Sequence, residues 1–176
     1  MILAIIISMV IIWLFFGDLK ASLIVGSSIP VSILASLILM QLMGFSLNVI
    51  TLSALVLGVG MMVDNSTVVL ESCFRATDDT GFKEYSKAAL TGTGVVYQSV
   101  IGSTLTTCVV FLPLAMLGGM TGMMFRPLGF TIVFCMTASL ISAITVVPLC
   151  YMIYKPIERS SAPFSRPVEK MQAAYR

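Results

Sequence analysis

Long apolar runs alternate with short polar breaks along the whole chain. A membrane-spanning helix needs about 20 predominantly apolar residues. Five runs approach or exceed this length, and they cover residues 1–16, 21–43, 45–74, 93–117 and 128–154. The pattern therefore predicts an all-α fold, a polytopic transmembrane bundle of five membrane helices over residues 1–154.

The first run is short for a membrane span. At about 1.5 Å per residue it reaches only about 24 Å, against a hydrocarbon core about 30 Å thick. A signal peptide usually begins with positive charge, whereas the first charged residue here is Asp18. We therefore expect the chain to start inside a helix and to be a piece of a longer protein.

Basic residues fall almost entirely on one side of the predicted bundle. If the five runs alternate across the membrane, only Arg126 lies on the side that also holds Met1 and the bend at Gly44. The positive-inside rule then places Met1 outside and the tail, residues 155–176, in the cytoplasm. The other nine basic residues share the cytoplasmic side: Lys20, Arg75, Lys83, Lys87, Lys155, Arg159, Arg166, Lys170 and Arg176.

Two polar segments predict helices at the cytoplasmic surface. Phe82, Tyr85 and Ala89 repeat at helical spacing within residues 75–92, which predicts a short surface helix. The tail carries three apolar residues on one helical face beside charged ones, which predicts an amphipathic segment: Val168, Met171 and Tyr175.

Composition excludes several classes of function. Charged residues make up 10% of the chain, against about 25% in a typical soluble domain. There is no histidine, so a Ser-His-Asp triad, a Cys–His nucleophile pair and a histidine zinc site are all impossible. The net charge of +2 is too small to indicate nucleic-acid binding. We expect no enzymatic activity, no metal and no other cofactor.

Two further patterns indicate structure and not chemistry. None of the four cysteines belongs to a Cys-x-x-Cys pair, so we expect buried, reduced thiols. Residues 118–122, Gly-Gly-Met-Thr-Gly, lack the Lys-Ser/Thr pair that completes a P-loop. We expect them to form a tight turn on the outer side.

The third run differs from the others because it carries acids. Asp64 lies near mid-membrane, and Glu71 follows two helical turns later on the same face. A charged carboxylate at the bilayer centre costs roughly 2.5–3.5 kcal/mol, so an intramembrane acid is a functional candidate by default. Desolvation disfavours its ionised form, which suits a group that binds and releases protons.

Structural roles for both acids stay open. Asp64 could be a neutral, hydrogen-bonded packing residue, and Glu71 could be a solvated acid or a partner of Arg75 near the interface. We expect Asp64 to face the bundle interior, with Ser and Thr side chains of the fourth run as neighbours, because an unpaired acid facing lipid is costly. Small residues that allow close helix packing include Gly58, Gly60 and Gly102.

Residues 58–71, Gly-Val-Gly-Met-Met-Val-Asp-Asn-Ser-Thr-Val-Val-Leu-Glu, resemble the fourth transmembrane helix of resistance–nodulation–division (RND) efflux pumps. The family pattern is a glycine-rich approach, Val-Asp-Asp or Val-Asp-Asn, and a valine-rich run to Glu. Other matches keep the family's order along nearly all of the chain: residues 18–24, 45–48, 111–113, 118–122 and 148–150.

The resemblance implies that the five runs are helices two to six of a twelve-helix pump in the bacterial inner membrane. It implies drug/proton antiport with Asp64 as the proton-binding group, supported by Asn65 and Glu71. It also implies a homotrimer, the remaining half of the same transporter, and membrane-fusion and outer-membrane channel partners. The first helix, both large periplasmic domains and the second half of such a pump are absent from this chain.

Two departures from the family bear on mechanism. Asn65 replaces the second acid of the Asp-Asp form, which leaves Asp64 as the only titrating group of the pair. The family's relay lysine belongs to the missing half, and no lysine lies within any of the five runs. The relay within this chain is therefore incomplete, and we expect the chain to be inactive alone.

Several alternatives stay open. A non-drug member of the superfamily, such as a lipid exporter, a metal pump or a Sec-translocase accessory, shares the acid of the fourth helix. A sterol-sensing-like bundle without transport uses the same helices, although the pair Asp64-Asn65 favours transport. An intramembrane aspartyl protease is disfavoured because it needs two deep acids on different helices.

Overall fold

The computed structural model describes residues 2–16, 18–80 and 84–156. These residues form α-helices and no strand, so the predicted all-α bundle is confirmed. Four of the helices are long and apolar enough to cross a membrane, and the first is a shorter apolar helix. In chain order the helices are α1 (Ile2–Phe16), α2 (Leu19–Leu42), α3 (Val49–Thr80), α4 (Tyr85–Ala115) and α5 (Gly119–Tyr154).

The turns between the helices lie where small and capping residues allow them. Asp18 caps α2 by accepting a hydrogen bond from the backbone N–H of Lys20 at 2.9 Å. Gly44 lies in the turn that follows α2 and has a φ of +72°, a backbone conformation that favours glycine. Asn48 and Thr51 then cap α3 reciprocally, each side chain accepting from the other's backbone N–H at 2.8 Å.

At three ends the helices extend six or more residues beyond the apolar runs. α3 continues to Thr80 because Thr77 is buried against α5, and α4 begins at Tyr85 because Ala88 and Ala89 are buried. The predicted separate surface helix is therefore wrong for Tyr85 and Ala89, which lie in the first turns of α4. Phe82 and the tail from residue 157 onward lie outside the described residues.

The glycine-rich segment forms a shorter turn than expected. Gly118 and Gly119 form it, with Gly119 at a φ of +71°, but the helix α5 already begins at Gly119. The expectation that residues 119–127 belong to the loop is therefore wrong. Pro127 is tolerated inside α5, as prolines are in membrane helices.

α5 lies at the centre of the bundle and packs against α2, α3 and α4, while α1 lies on α2 and α3. Small residues bring these helices close together. Gly58 of α3 faces Cys135 of α5, whose Cβ would lie 3.1 Å from an added methyl group. Gly60 and Gly102 have open space around them, so the structure does not support a packing role for either among the described residues.

The four cysteines are free thiols, as expected from their spacing. Cys73 and Cys135 are buried in the bundle, and Cys108 and Cys150 are partly buried. The prediction that all four cysteines are buried is therefore wrong for Cys108 and Cys150. All four act as small, weakly polar packing residues, such as Cys73, whose thiol donates to the Ala89 carbonyl at 3.7 Å.

An aromatic cluster joins three helices at the end of the bundle predicted to be cytoplasmic. Tyr151 of α5 is completely buried, and its ring lies edge-on to Phe74 of α3 with centroids 5.4 Å apart. Tyr85 of α4 lies on its other side with centroids 6.0 Å apart. The Tyr151 hydroxyl and the Thr77 hydroxyl are 2.6 Å apart, so the ring also forms a buried hydrogen bond.

The Tyr151→Phe variant should be less stable by about 1 kcal/mol, because it removes the buried hydrogen bond to Thr77 and keeps the ring. Tyr154→Phe is the matched control, since Tyr154 is 44% exposed on the same helix. Thermal unfolding of the detergent-purified proteins measures the difference. Identical unfolding midpoints for the two variants would show that the hydrogen bond does not stabilise the bundle.

Candidate functional site

Asp64 lies in the middle of α3 on a face that the other described helices leave uncovered. The expectation that it faces the interior of these helices is therefore wrong. Successive helical residues are rotated by about 100°, so an α3 orientation that places Asn65 and Ser66 on the inner side turns Asp64 outward. Asn65 and Ser66 occupy the interior positions, and both are buried.

Asn65 joins α3 to α4 and α5. Its side chain is only 6% exposed, and its amide group donates to the Thr104 hydroxyl at 3.2 Å and to the Ser139 hydroxyl at 3.3 Å. The Ser139 hydroxyl in turn donates to the Met62 carbonyl at 3.4 Å. The sequence predicted that hydroxyl side chains of the fourth run lie beside Asp64. In the structure one of them, that of Thr104, binds Asn65 instead.

A second group of buried hydroxyls joins α3 to α2 and α5. The Ser66 and Ser28 hydroxyls are 2.9 Å apart, and the Ser142 hydroxyl donates to the Ser28 carbonyl at 3.3 Å. These serines are nearly completely buried. Sequence reasoning missed them because serines in apolar runs look like ordinary small residues; only the pairing across helices distinguishes them.

Glu71 lies two turns along α3 from Asp64, on the same face. Its carboxylate accepts a hydrogen bond from the Arg75 guanidinium at 2.7 Å, and both side chains are substantially exposed. The structure therefore shows the arginine-paired arrangement that the sequence left open. An exposed pair of this kind contributes little to stability, commonly under about 1 kcal/mol.

A cavity of about 480 Å³ opens between α3 and α4 beside this ion pair. Val68, Glu71 and Arg75 contribute to its wall from α3, and Thr91 and Val95 contribute from α4. The crossing of the two helices closes its inner side, where the Ser72 hydroxyl donates to the Gly92 carbonyl at 2.8 Å.

Exposed residues lie on the sides of α3 and α4 that border this cavity, and we name this set of residues the open face. It combines an acid, hydroxyl groups, glycines and an arginine, although most of it lies within helices long enough to cross a membrane. Its members are Gly60, Asp64, Val68 and Arg75 of α3 with Val95, Ser99, Gly102 and Thr106 of α4.

No basic side chain neutralises Asp64 within residues 18–77 and 84–156, where the side chains are described: the ion pairs there are Glu71–Arg75 and Glu84–Lys87. The same residues contain no cluster of acids and cysteines able to hold a metal ion. The site can therefore present one carboxyl group, that of Asp64, at an uncovered surface in the middle of α3. The opposite side of α3 is hydrogen-bonded to its neighbouring helices.

Comparison with known proteins identifies the family. The sequence model of the AcrB/AcrD/AcrF family matches residues 1–176. The swarming motility protein SwrC of Bacillus subtilis is 39% identical over 84% of this chain, and the toluene efflux pump membrane transporter TtgE of Pseudomonas putida is 32% identical over 90%. The multidrug resistance protein MdtC of Pectobacterium atrosepticum is 32% identical over 99%.

The chain spans only a small part of these relatives: 14% of SwrC, 15% of TtgE and 17% of MdtC. The matches nevertheless cover most or all of the chain, including α3 with Asp64 and Asn65 in the family model. The four helices able to span a membrane and the transporter relatives support a multi-pass membrane protein. The chain belongs to the AcrB/AcrD/AcrF family of RND efflux transporters.

Proposed function

We propose that this chain forms part of the membrane domain of a proton-driven RND efflux transporter of the bacterial inner membrane, and that Asp64 binds and releases the transported proton. The observation that carries the proposal is the position of Asp64 on the open face, halfway along a membrane helix. A carboxyl group held there against lipid would be costly, so a covered surface is needed in the working protein.

The remaining part of the same transporter is the proposed cover for the open face. Glycine, serine and threonine allow a second helix to approach closely and to form hydrogen bonds across the contact. Gly60 of α3 and Gly102 of α4 have open space around them here, which such a helix could occupy. A basic residue on that helix would complete the relay that this chain lacks.

Coupling of proton binding to helix movement follows from the two sides of α3. One side is hydrogen-bonded to neighbouring helices, and the other side carries Asp64 on the open face. The Asn65 amide attaches α3 to α4 and α5, which supports the proposal that these helices move as one unit when Asp64 gains or loses a proton. The change in charge at Asp64 acts instead on the part of the transporter that packs against the open face. Each proton that crosses a potential of 100 mV releases about 2.3 kcal/mol. This energy drives the movement of these helices relative to the part that packs against the open face.

The substrate class is proposed from the relatives. TtgE is named for toluene efflux and MdtC for multidrug resistance, so we propose small apolar or amphipathic compounds as exported substrates. SwrC, which is 39% identical, is named for swarming motility, and this favours a non-drug substrate as the second candidate. In either case the protein acts as a carrier and not as an enzyme, and we propose a homotrimer with membrane-fusion and outer-membrane channel partners.

The complete transporter expressed in cells without other efflux pumps tests the energy source. We expect export of a fluorescent dye to stop when a protonophore collapses the proton gradient. Export should continue when ATP is depleted and the gradient is maintained by respiration. Continued export in the presence of the protonophore would contradict proton coupling, and a panel of apolar and amphipathic substrates would separate the two substrate candidates.

A further inference from the structure

We propose that the cavity between α3 and α4 binds one phospholipid whose headgroup carries both a phosphate and a primary ammonium group, as phosphatidylethanolamine does. The headgroup lies at the Glu71–Arg75 pair, and one acyl chain lies along the apolar wall of the cavity. This inference goes beyond the proposed function, because it concerns a bound lipid and does not depend on proton binding by Asp64.

The cavity has the size and the lining of a site for an amphipathic molecule. Its volume of about 480 Å³ lies within the roughly 300–1,000 Å³ that is usual for small-molecule sites. Its apolar wall includes Val68 of α3 with Val95 and Val96 of α4. A helix packed on the open face is about 10 Å across and would contact mainly the rims of this cleft. A flexible acyl chain can fill the cleft between those rims.

The polar groups of the cavity lie toward one end of it. Glu71 and Arg75 are near the end of α3 that the charge pattern places in the cytoplasm, and Val68 lies about 10 Å before Arg75 along the helix axis. α4 runs antiparallel to α3, so its Thr91 lies nearer the polar end and its Val95 nearer the apolar end. A polar end at the membrane surface and an apolar end toward mid-membrane match a lipid headgroup and its acyl chain.

The polar end has hydrogen-bonding groups to spare. Arg75 is 70% exposed and uses one side-chain nitrogen to donate to Glu71; its other guanidinium N–H groups have no partner among the described residues. Such a guanidinium suits phosphate oxygens. The Thr91 hydroxyl also forms no hydrogen bond among the described residues, whereas the exposed Thr106 and Thr145 each donate to the carbonyl four residues earlier. Arg75 and Thr91 therefore offer donors to a phosphate.

The two opposite charges select the headgroup. Glu71 and Arg75 are the ionisable residues that line the cavity among the described residues, so its net charge is zero. Phosphatidylglycerol has a phosphate but no cation, and its charge would be repelled by Glu71. Phosphatidylcholine has a quaternary ammonium group, which has no N–H to donate. A primary ammonium group donates hydrogen bonds to a carboxylate, so phosphatidylethanolamine matches both Glu71 and Arg75.

The test uses the complete transporter in phosphatidylcholine vesicles that contain a small fraction of a phospholipid with a photoreactive diazirine in its acyl chain. Diazirine-bearing phosphatidylethanolamine, phosphatidylcholine and phosphatidylglycerol are compared, and mass spectrometry locates the labelled residues. We expect phosphatidylethanolamine to label residues 91–96 at least about tenfold more than either of the others, a preference equal to about 1.4 kcal/mol.

Two pairs of variants assign the preference to the cavity. Glu71→Gln should lower labelling by phosphatidylethanolamine to the level of phosphatidylglycerol, because glutamine does not attract the ammonium group. Glu84→Gln is the matched control, since Glu84 forms a similar exposed pair with Lys87 and does not line the cavity. Val95→Trp should lower labelling at least about tenfold by filling the cavity, whereas Leu105→Trp, at an exposed α4 residue outside it, should leave labelling unchanged.

The comparison of headgroups uses the unchanged protein, so a folding defect cannot explain its result. Equal labelling by the three lipids, or a preference that survives Glu71→Gln, would overturn the proposed headgroup site. Absence of label from residues 91–96 would mean that the rest of the transporter fills the cavity, which also overturns it. Proton uptake by the same vesicles tests the proposed function separately: normal uptake without a lipid preference contradicts only the lipid site.

Discussion

The Asp64→Asn variant of the complete transporter is expected to lose proton-driven export by at least about 100-fold, a typical contribution of a proton-transferring side chain. Asparagine has nearly the same shape but cannot titrate, so the helix would keep one charge state. Asp64 lies on the open face and forms no ion pair among the described residues, so folding of these helices should not change. Proton-dependent dye efflux measures activity, and immunoblotting of membranes measures abundance.

Two neighbouring variants give the matched controls. Asn65→Ala should lower stability, because it removes hydrogen bonds to Thr104 and Ser139 that contribute about 1 kcal/mol each, but it should retain part of the export. Glu71→Gln should be milder still, since Glu71 forms an exposed pair with Arg75. Full export by Asp64→Asn at normal abundance would mean that Asp64 is a structural residue.

Gly92→Ala is expected to be among the most destabilising single-methyl changes in the bundle, by about 1–3 kcal/mol. An added Cβ would lie 2.7 Å from both the Ser72 carbonyl oxygen and the Cys73 Cα atom. Both are backbone atoms, so no side chain can rotate away and α3 and α4 must separate. The hydrogen bond from the Ser72 hydroxyl to the Gly92 carbonyl would lengthen as they do.

Gly94→Ala is the control, because it lies half a turn away on the same helix and has nothing within 4 Å of the added Cβ. Thermal unfolding in detergent should show a lower midpoint for Gly92→Ala and an almost unchanged midpoint for Gly94→Ala. Equal midpoints would mean that α3 and α4 can separate at this crossing without loss of stability.

Four glycines show why packing positions could not be predicted from spacing alone. Small residues at helical intervals predict close packing at Gly58, Gly60 and Gly102. Of these three only Gly58 lies in a helix crossing, whereas Gly92, for which the spacing predicts no packing role, lies against the α3 backbone. Small-residue spacing shows that a helix could be approached closely, but the rotation of each helix decides which glycine is approached.

The sequence alone determined the all-α membrane fold, because 20-residue apolar runs have few stable structures other than membrane helices. It also determined the family, since residues 58–71 combine rare intramembrane acids with a specific pattern of glycine and valine. Helix ends were less accurate, as at Tyr85 and Gly119, because a polar segment continues a helix wherever its side chains find tertiary contacts.

Only the tertiary structure decided which of the two adjacent residues, Asp64 or Asn65, faces the bundle. Both orientations satisfy the sequence pattern, because a single rotation of α3 exchanges them. The hydroxyls of Thr104 and Ser139 come from other helices and accept from the Asn65 amide, and this fixes the rotation that leaves Asp64 on the open face. The physical reason is that helical periodicity is local, whereas the side that is buried depends on partners far away in the chain.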